Sequence, residues 1–132
     1  MRLFPPAWII GREAGADCLI KGFPVRAGTQ LYMSPWVLNR HPRYYEAPER
    51  FRPERWQDGL ERRLPRFAYL PFGGGPRICI AHRFAMIEAV LILATIAHRF
   101  RLVTAQTPPA DPFPSITLSP RGGIDARVEA RR

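Results

Sequence analysis

The chain has 132 residues, enough for one small domain with a modest core, and 46% of them are hydrophobic, so burial is intended. No apolar run reaches the roughly 18 residues of a membrane span, and "MRLFPPAWII" lacks the charged region, apolar core and cleavage site of a signal peptide. Two cysteines do not make a disulfide framework; the expectation is a cytoplasmic protein.

Twenty basic residues against eleven acidic ones give a formal charge of +9, and Lys21 is the only lysine. An arginine surface of this kind suits nucleic acid, a membrane or an acidic protein. A solvated arginine-rich surface accounts for it more simply, because charge totals speak to association and not to fold.

In chain order, Pro5 and Pro6 make "LFPPAW" stiff and extended. "DCLIKGFPVRAGTQLYMS" reads as a hairpin, with strands at Cys18–Ile20 and Thr29–Met33 and turn residues at Gly22, Pro24 and Gly28. Ser34 and Pro35 can open a short helix, serine as its cap and proline in its first turn. From His41 to Arg66 neither a helical nor a strand period survives. Four prolines, many charges and several aromatics predict an ordered meander pinned by aromatics and arginine pairs.

Ile80 to Phe100 is the strongest predicted helix. Apolar residues at 80, 84, 87, 90, 91, 94 and 97 form a stripe, and those at 89, 92, 93 and 96 widen it, so the helix is expected to be buried. Glu88, inside it, is expected to make a buried pair. "HRF" at 98–100 ends it with cationic side chains. Beyond Phe100, "FRLV", "SITLSP" and "RGGIDARVEA" predict small hairpins. There is no internal repeat and no domain boundary.

The chemistry gathers in "PFGGGPRICIA". Gly73, Gly74 and Gly75 permit positive φ and let a bulky group lie against the backbone. Cys79 stands at the mouth of the predicted helix, where unpaired N–H groups and the positive dipole end favour a thiolate. Arg77 adds charge or binds an anion. A buried structural cysteine leaves the glycines unexplained. A nucleophile would need a base from His41, His82 or His98. A zinc site would need paired cysteines and histidines that this chain lacks. A single-thiolate metal site asks a cofactor to supply the other ligands, as haem does.

The stretch Phe72–Ala81 resembles the haem-binding signature of the cytochrome P-450 family, F-x-x-G-x-R-x-C-x-G, with Phe72, Gly75, Arg77 and Cys79 in register and Ala81 at the usual glycine. "APERFRPERW", with Pro53, Glu54, Arg55 and Trp56 at the P-E-R-F element, resembles the family's aromatic meander. "LFPPAWIIGREA" resembles the segment that follows the family's E-x-x-R motif. The resemblance covers nearly the whole chain.

It implies a mainly α fold with small β hairpins (α+β): the C-terminal part of the P-450 fold, residues 1–132 forming an incomplete domain with a haem loop, a long buried helix and peripheral hairpins. It implies haem b, iron protoporphyrin IX, held by Cys79 as axial thiolate. Phe72 would pack beside the sulfur, and Gly75 would let the macrocycle approach. Arg77 and Arg12 would pair with haem propionates. Arg2 would stand at the arginine of E-x-x-R, its glutamate three residues earlier and beyond Met1, and Arg55 would join the same structural network.

The implied function is a monooxygenase inserting one oxygen atom of O₂ into a small organic substrate. Electrons would come from a ferredoxin or flavin reductase docked on a basic proximal face that includes Arg40, Arg43 and Arg83. Neither a nucleic-acid partner nor a membrane span is implied. The alternatives are a truncated, inactive chain and a basic nucleic-acid-binding domain. The first is expected of the isolated 132 residues, which would carry only the proximal half of such a site and would lack the helices that bury the inner face of residues 80–98.

Overall fold

The computed structural model describes residues 1–104 and 111–131. Its contacts divide into two compact units, Met1–Pro71 and Phe72–Arg132.

In the first unit, β1 (Ile10–Glu13) pairs antiparallel with β4 (Gln30–Met33), Ile10 opposite Met33 and Glu13 opposite Gln30. Between them β2 (Cys18–Ile20) folds back on β3 (Phe23–Val25). The expected partner of Cys18–Ile20 was Thr29–Met33; the structure corrects this. Lys21 and Gly22 both take positive φ, 51° and 85°, which is the two-residue turn whose twist suits a hairpin. That turn closes the hairpin early and leaves β4 to pair with β1. Pro24 lies opposite Leu19, one pair from the turn, where the ladder needs no N–H.

The Ser34–Pro35 signal reads as expected. Helix α1 (Pro35–Leu38) has Ser34 as its cap, the hydroxyl accepting from the Val37 amide at 3.4 Å and donating to the Trp8 carbonyl at 3.0 Å. The meander is not wholly without helix. It holds a 3₁₀ turn at Pro53–Trp56, started by proline, and a single α-helical turn, α2 (Leu60–Arg63). Its pins are mostly arginines donating to carbonyls rather than to carboxylates. Among the described residues, the largest fully buried side chains are Tyr45, Asn39, Pro5 and Pro35.

In the second unit, a loop with a 3₁₀ turn at Gly75–Arg77 leads into α3 (His82–Arg99). The helix is two residues shorter at its start than expected. Phe100 opens β5 (Phe100–Thr104), which pairs antiparallel with β8 (Ala126–Ala130). A smaller hairpin joins β6 (Pro112–Pro114) to β7 (Leu118–Pro120). No described residue of α3 is buried, which corrects the expected buried helix. Its apolar residues run most of the way round, and short two-stranded ribbons cannot cover an 18-residue helix. Glu88 is exposed and, among the described residues, makes no ion pair, so its expected buried partner is absent too.

Candidate functional site

The loop from Phe72 to Cys79 is closed at its ends. The Cys79 amide donates to the Phe72 carbonyl at 2.9 Å, and the Ile78 amide donates to Gly75 at 3.1 Å. Gly73 and Gly75 hold φ of 77° and 70°, a region that costs other residues about 1–2 kcal/mol. Gly74, at φ −164°, is extended and uses no glycine freedom. A Cβ placed on Gly75 meets nothing within 4 Å, so the space beside it is open.

Cys79 is exposed at the end of this loop. Around it Ile78, Ile80 and Phe84 are exposed as well, Ile80 almost completely at 99%. Among the described residues the amides of Ile80 and Ala81 have no acceptor, whereas the Cys79 carbonyl has two donors, both from His82. One is the His82 amide at 3.2 Å and the other its ring Nδ1 at 2.9 Å. Phe72 is half-buried, its ring tilted against His82 at 6.2 Å between centroids. Arg77 is exposed and, among the described residues, engages no carboxylate or carbonyl.

This arrangement separates the chemistries left open by the sequence. His82 is committed to the Cys79 carbonyl, and the His41 Nδ1 accepts from the Arg43 amide at 3.1 Å; no histidine ring contacts the thiol among the described residues. A nucleophile–base pair is therefore not assembled. Nor does any group of three His, Cys, Asp or Glu side chains gather to hold a metal among the described residues. What stands there is a single soft donor amid open apolar surface, next to amides with nothing to donate to.

The remaining expected residues lie in the first unit. Arg12, on β1, is exposed and donates to its neighbour Gly11 at 2.7 Å. Arg2 is 6% exposed and donates to three carbonyls, Asn39 at 2.8 Å, Pro48 at 2.6 Å and Arg50 at 3.0 Å. Arg55 donates to Glu46 at 3.0 Å, Arg52 at 3.1 Å and, sharing Arg2's acceptor, Arg50 at 3.4 Å. Burial foremost, then the Arg55 charge, pulls the Arg2 guanidinium below its ordinary pKa. Asn39, fully buried, donates to the Arg2 carbonyl at 2.9 Å, and its own Oδ1 has no partner among the described residues. Tyr45 donates to Ala68 at 3.0 Å beneath the Arg2 guanidinium.

Sequence reasoning did not single out Asn39 or Tyr45, which sit in irregular chain where no period marks burial. Arg40, expected to be free for docking, is tied to Glu49 at 3.1 Å, to the Leu3 carbonyl at 2.7 Å and to the face of Trp36. Arg43 and Arg83 are exposed.

Residues 1–124 match the cytochrome P450 family. The chain belongs to that family. Cyclooctatin synthase of Streptomyces melanosporofaciens is 38% identical over 121 residues, which is 92% of this chain and 25% of that protein. Thromboxane-A synthase of Macaca fascicularis is 33% identical over 136 residues, 99% of this chain and 25% of that protein. Among solved structures, the retinoic acid-bound cyanobacterial CYP120A1 matches with a TM-score of 0.90 and 28% identity, covering 98% of this chain and 31% of its own. The cytochrome P450DA haem domain matches with a TM-score of 0.88 and 32% identity, covering 99% and 29%. The P450 chain here thus spans about a quarter to a third of the length of these relatives, and its mixed α+β architecture matches that part of the fold.

The donor set fits haem, the cofactor of the P450 family. One sulfur suffices when a macrocycle brings four ligands of its own. The open space at Gly75 and the exposed Ile78, Ile80 and Phe84 suit a flat apolar group.

Proposed function

We propose that the chain carries the haem-ligating part of a cytochrome P450 monooxygenase, with Cys79 as the axial thiolate ligand of haem b. The observation that carries this reading is the exposed Cys79 at the end of a closed loop, beside the unused amides of Ile80 and Ala81. Those amides can stabilise a negative sulfur. Ile78 and Ile80 would exclude water from the porphyrin face, and Arg77, unengaged among the described residues, would take a propionate. Phe72 would shield the sulfur while its carbonyl holds the Cys79 amide. Haem so bound supplies oxygen activation for insertion of one oxygen atom into a small organic substrate, with electrons from a ferredoxin or flavin reductase. Arg83 is an exposed cation proposed to meet that partner's acidic surface.

The test is the spectrum of the reduced, CO-treated chain after addition of haem. The expected result is the red-shifted Soret band of thiolate ligation, lost in Cys79→Ser. A band indistinguishable from free haem, or one retained in Cys79→Ser, overturns the assignment.

A second reading, weak haem binding without turnover by these 132 residues, is favoured by the uncovered apolar surface of α3. A thiolate spectrum without substrate oxidation, under electrons from a reductase, would select it.

A further inference from the structure

The hairpin of β2 and β3 carries apolar side chains on both of its faces, and both faces are uncovered. Opposed residues share a face and successive ones alternate. Cys18, Ile20, Phe23 and Val25 therefore lie on one side, and Leu19 and Pro24 on the other. Leu19 is 71% exposed, Phe23 74% and Ile20 45%. Among the described residues no third strand pairs with the hairpin. Lys21 stands exposed in its turn and Arg26 exposed at its base. Neither makes an ion pair among the described residues. The two nearest carboxylates in the chain are engaged: Asp17 accepts from the Ala27 amide at 2.8 Å, and Glu13 from the Gln30 side-chain amide at 2.6 Å.

We propose that this hairpin docks on an anionic lipid surface. The proposal does not depend on the haem reading. A rigid partner covers one face of a ribbon, whereas a fluid interface closes around both. The cations choose the sign of that interface. Lys21 has a stem long enough to keep its ammonium among lipid phosphates while Leu19 and Phe23 reach the upper acyl region. The formal charge of +9 adds long-range attraction to the same surface. The unpaired edges of a two-stranded ribbon cannot be satisfied in hydrocarbon. The contact is therefore at headgroup depth, where water still serves those edges.

Sedimentation tests this, with vesicles of phosphatidylcholine mixed with phosphatidylglycerol against vesicles of phosphatidylcholine alone. The chain is expected to pellet with the mixed vesicles and far less with the neutral ones. Leu19→Ser combined with Phe23→Ser is expected to lower partitioning at least about tenfold. Lys21→Gln is expected to lower it about fivefold, on the anionic vesicles only. All three side chains are exposed, so the fold tolerates the changes. Equal binding to neutral vesicles, or binding unchanged in the double variant, overturns the proposal. A fluorophore on Cys18 in a Cys79→Ser chain separates the hairpin from α3, the other exposed apolar surface. Its emission is expected to shift to the blue on mixed vesicles. Pelleting without that shift assigns the contact elsewhere and overturns the proposal. Self-association that the double variant abolishes, without vesicle binding, identifies a second copy of the chain as the occupant and overturns it as well.

Discussion

The two units capture main-chain carbonyls with cationic or ring donors, to opposite ends. In Met1–Pro71, Arg2 and Arg55 collect carbonyls of the meander into a buried polar knot, with Asn39 and Tyr45 sealed beside them. In Phe72–Arg132, His82 collects the carbonyl of Cys79, and the result stays at the surface with apolar side chains uncovered around it. The first arrangement spends its donors on cohesion. The second fixes one residue and leaves its sulfur and the amides after it unused among the described residues. A buried guanidinium that satisfies several acceptors at once can order irregular chain without a large apolar core. A short loop tied at both ends can order a ligand while leaving the ligand open.

The sharpest way to break the comparison is to remove the donor of the buried knot. Arg2→Met leaves the buried carbonyl of Asn39 and the part-buried carbonyls of Pro48 and Arg50 without that partner. The expected loss of unfolding free energy in urea is about 3 kcal/mol. The matching change in the open loop, Arg77→Ala, is expected to move stability by less than about 0.5 kcal/mol, because the side chain is exposed and engages nothing among the described residues. Equal effects at the two positions would erase the distinction drawn here.

Tyr45 gives the knot a pH signature. Burial, and secondarily Tyr69, pushes its phenol up to about 12 from the ordinary 10. The unfolded chain ionises first as pH rises, so the folded state holds more protons between those values. The associated stability is fully present below pH 10 and is lost as pH climbs toward 12, on the order of 2 kcal/mol in all. Tyr69, also raised by burial, slopes the same way. Tyr45→Phe is expected to flatten most of that slope. It also costs about 1 kcal/mol at neutral pH, through loss of the hydrogen bond to Ala68. Urea unfolding at pH 8 and at pH 11 measures both.

The open loop has a backbone test of similar size. Gly75→Ala forces a side chain into φ 70° with nothing in contact to blame. The expected cost is about 1 kcal/mol. A larger cost would mean that the space beside Gly75 is less open than it stands in the structure.

Much of this was legible in the sequence where chemistry is local. Ser34 and Pro35 announce α1 because a hydroxyl and a missing N–H are both useful at a helix start. Cys79 stood out because few reasons place glycines beside a lone thiol. The pairing of β1 with β4 was hidden, since strand partners are non-local and the Lys21–Gly22 turn competes with any longer loop. His82 was visible at three residues from Cys79, but spacing alone does not say that its ring serves a carbonyl rather than a thiol. The exposure of α3 was legible only through the resemblance, which implies covering helices outside these 132 residues: an apolar pattern reports what a helix can bury, not what is present to bury it.

That last point supplies the smallest expected effect and the most direct measure of how open the second unit is. Leu93 is 67% exposed on α3. In a covered helix, Leu93→Gln would lose burial and cost at least 1–2 kcal/mol, about the transfer value of a leucine side chain. In the structure most of that surface already faces water, and glutamine is nearly as good a helix former as leucine. Stability is therefore expected to change by less than about 0.5 kcal/mol. Self-association, followed by sedimentation, should weaken, because an exposed apolar stripe is what copies of the chain would share. A large destabilisation instead would show that this face is covered in solution, and the contrast between a sealed knot and an open helix would then have to be withdrawn.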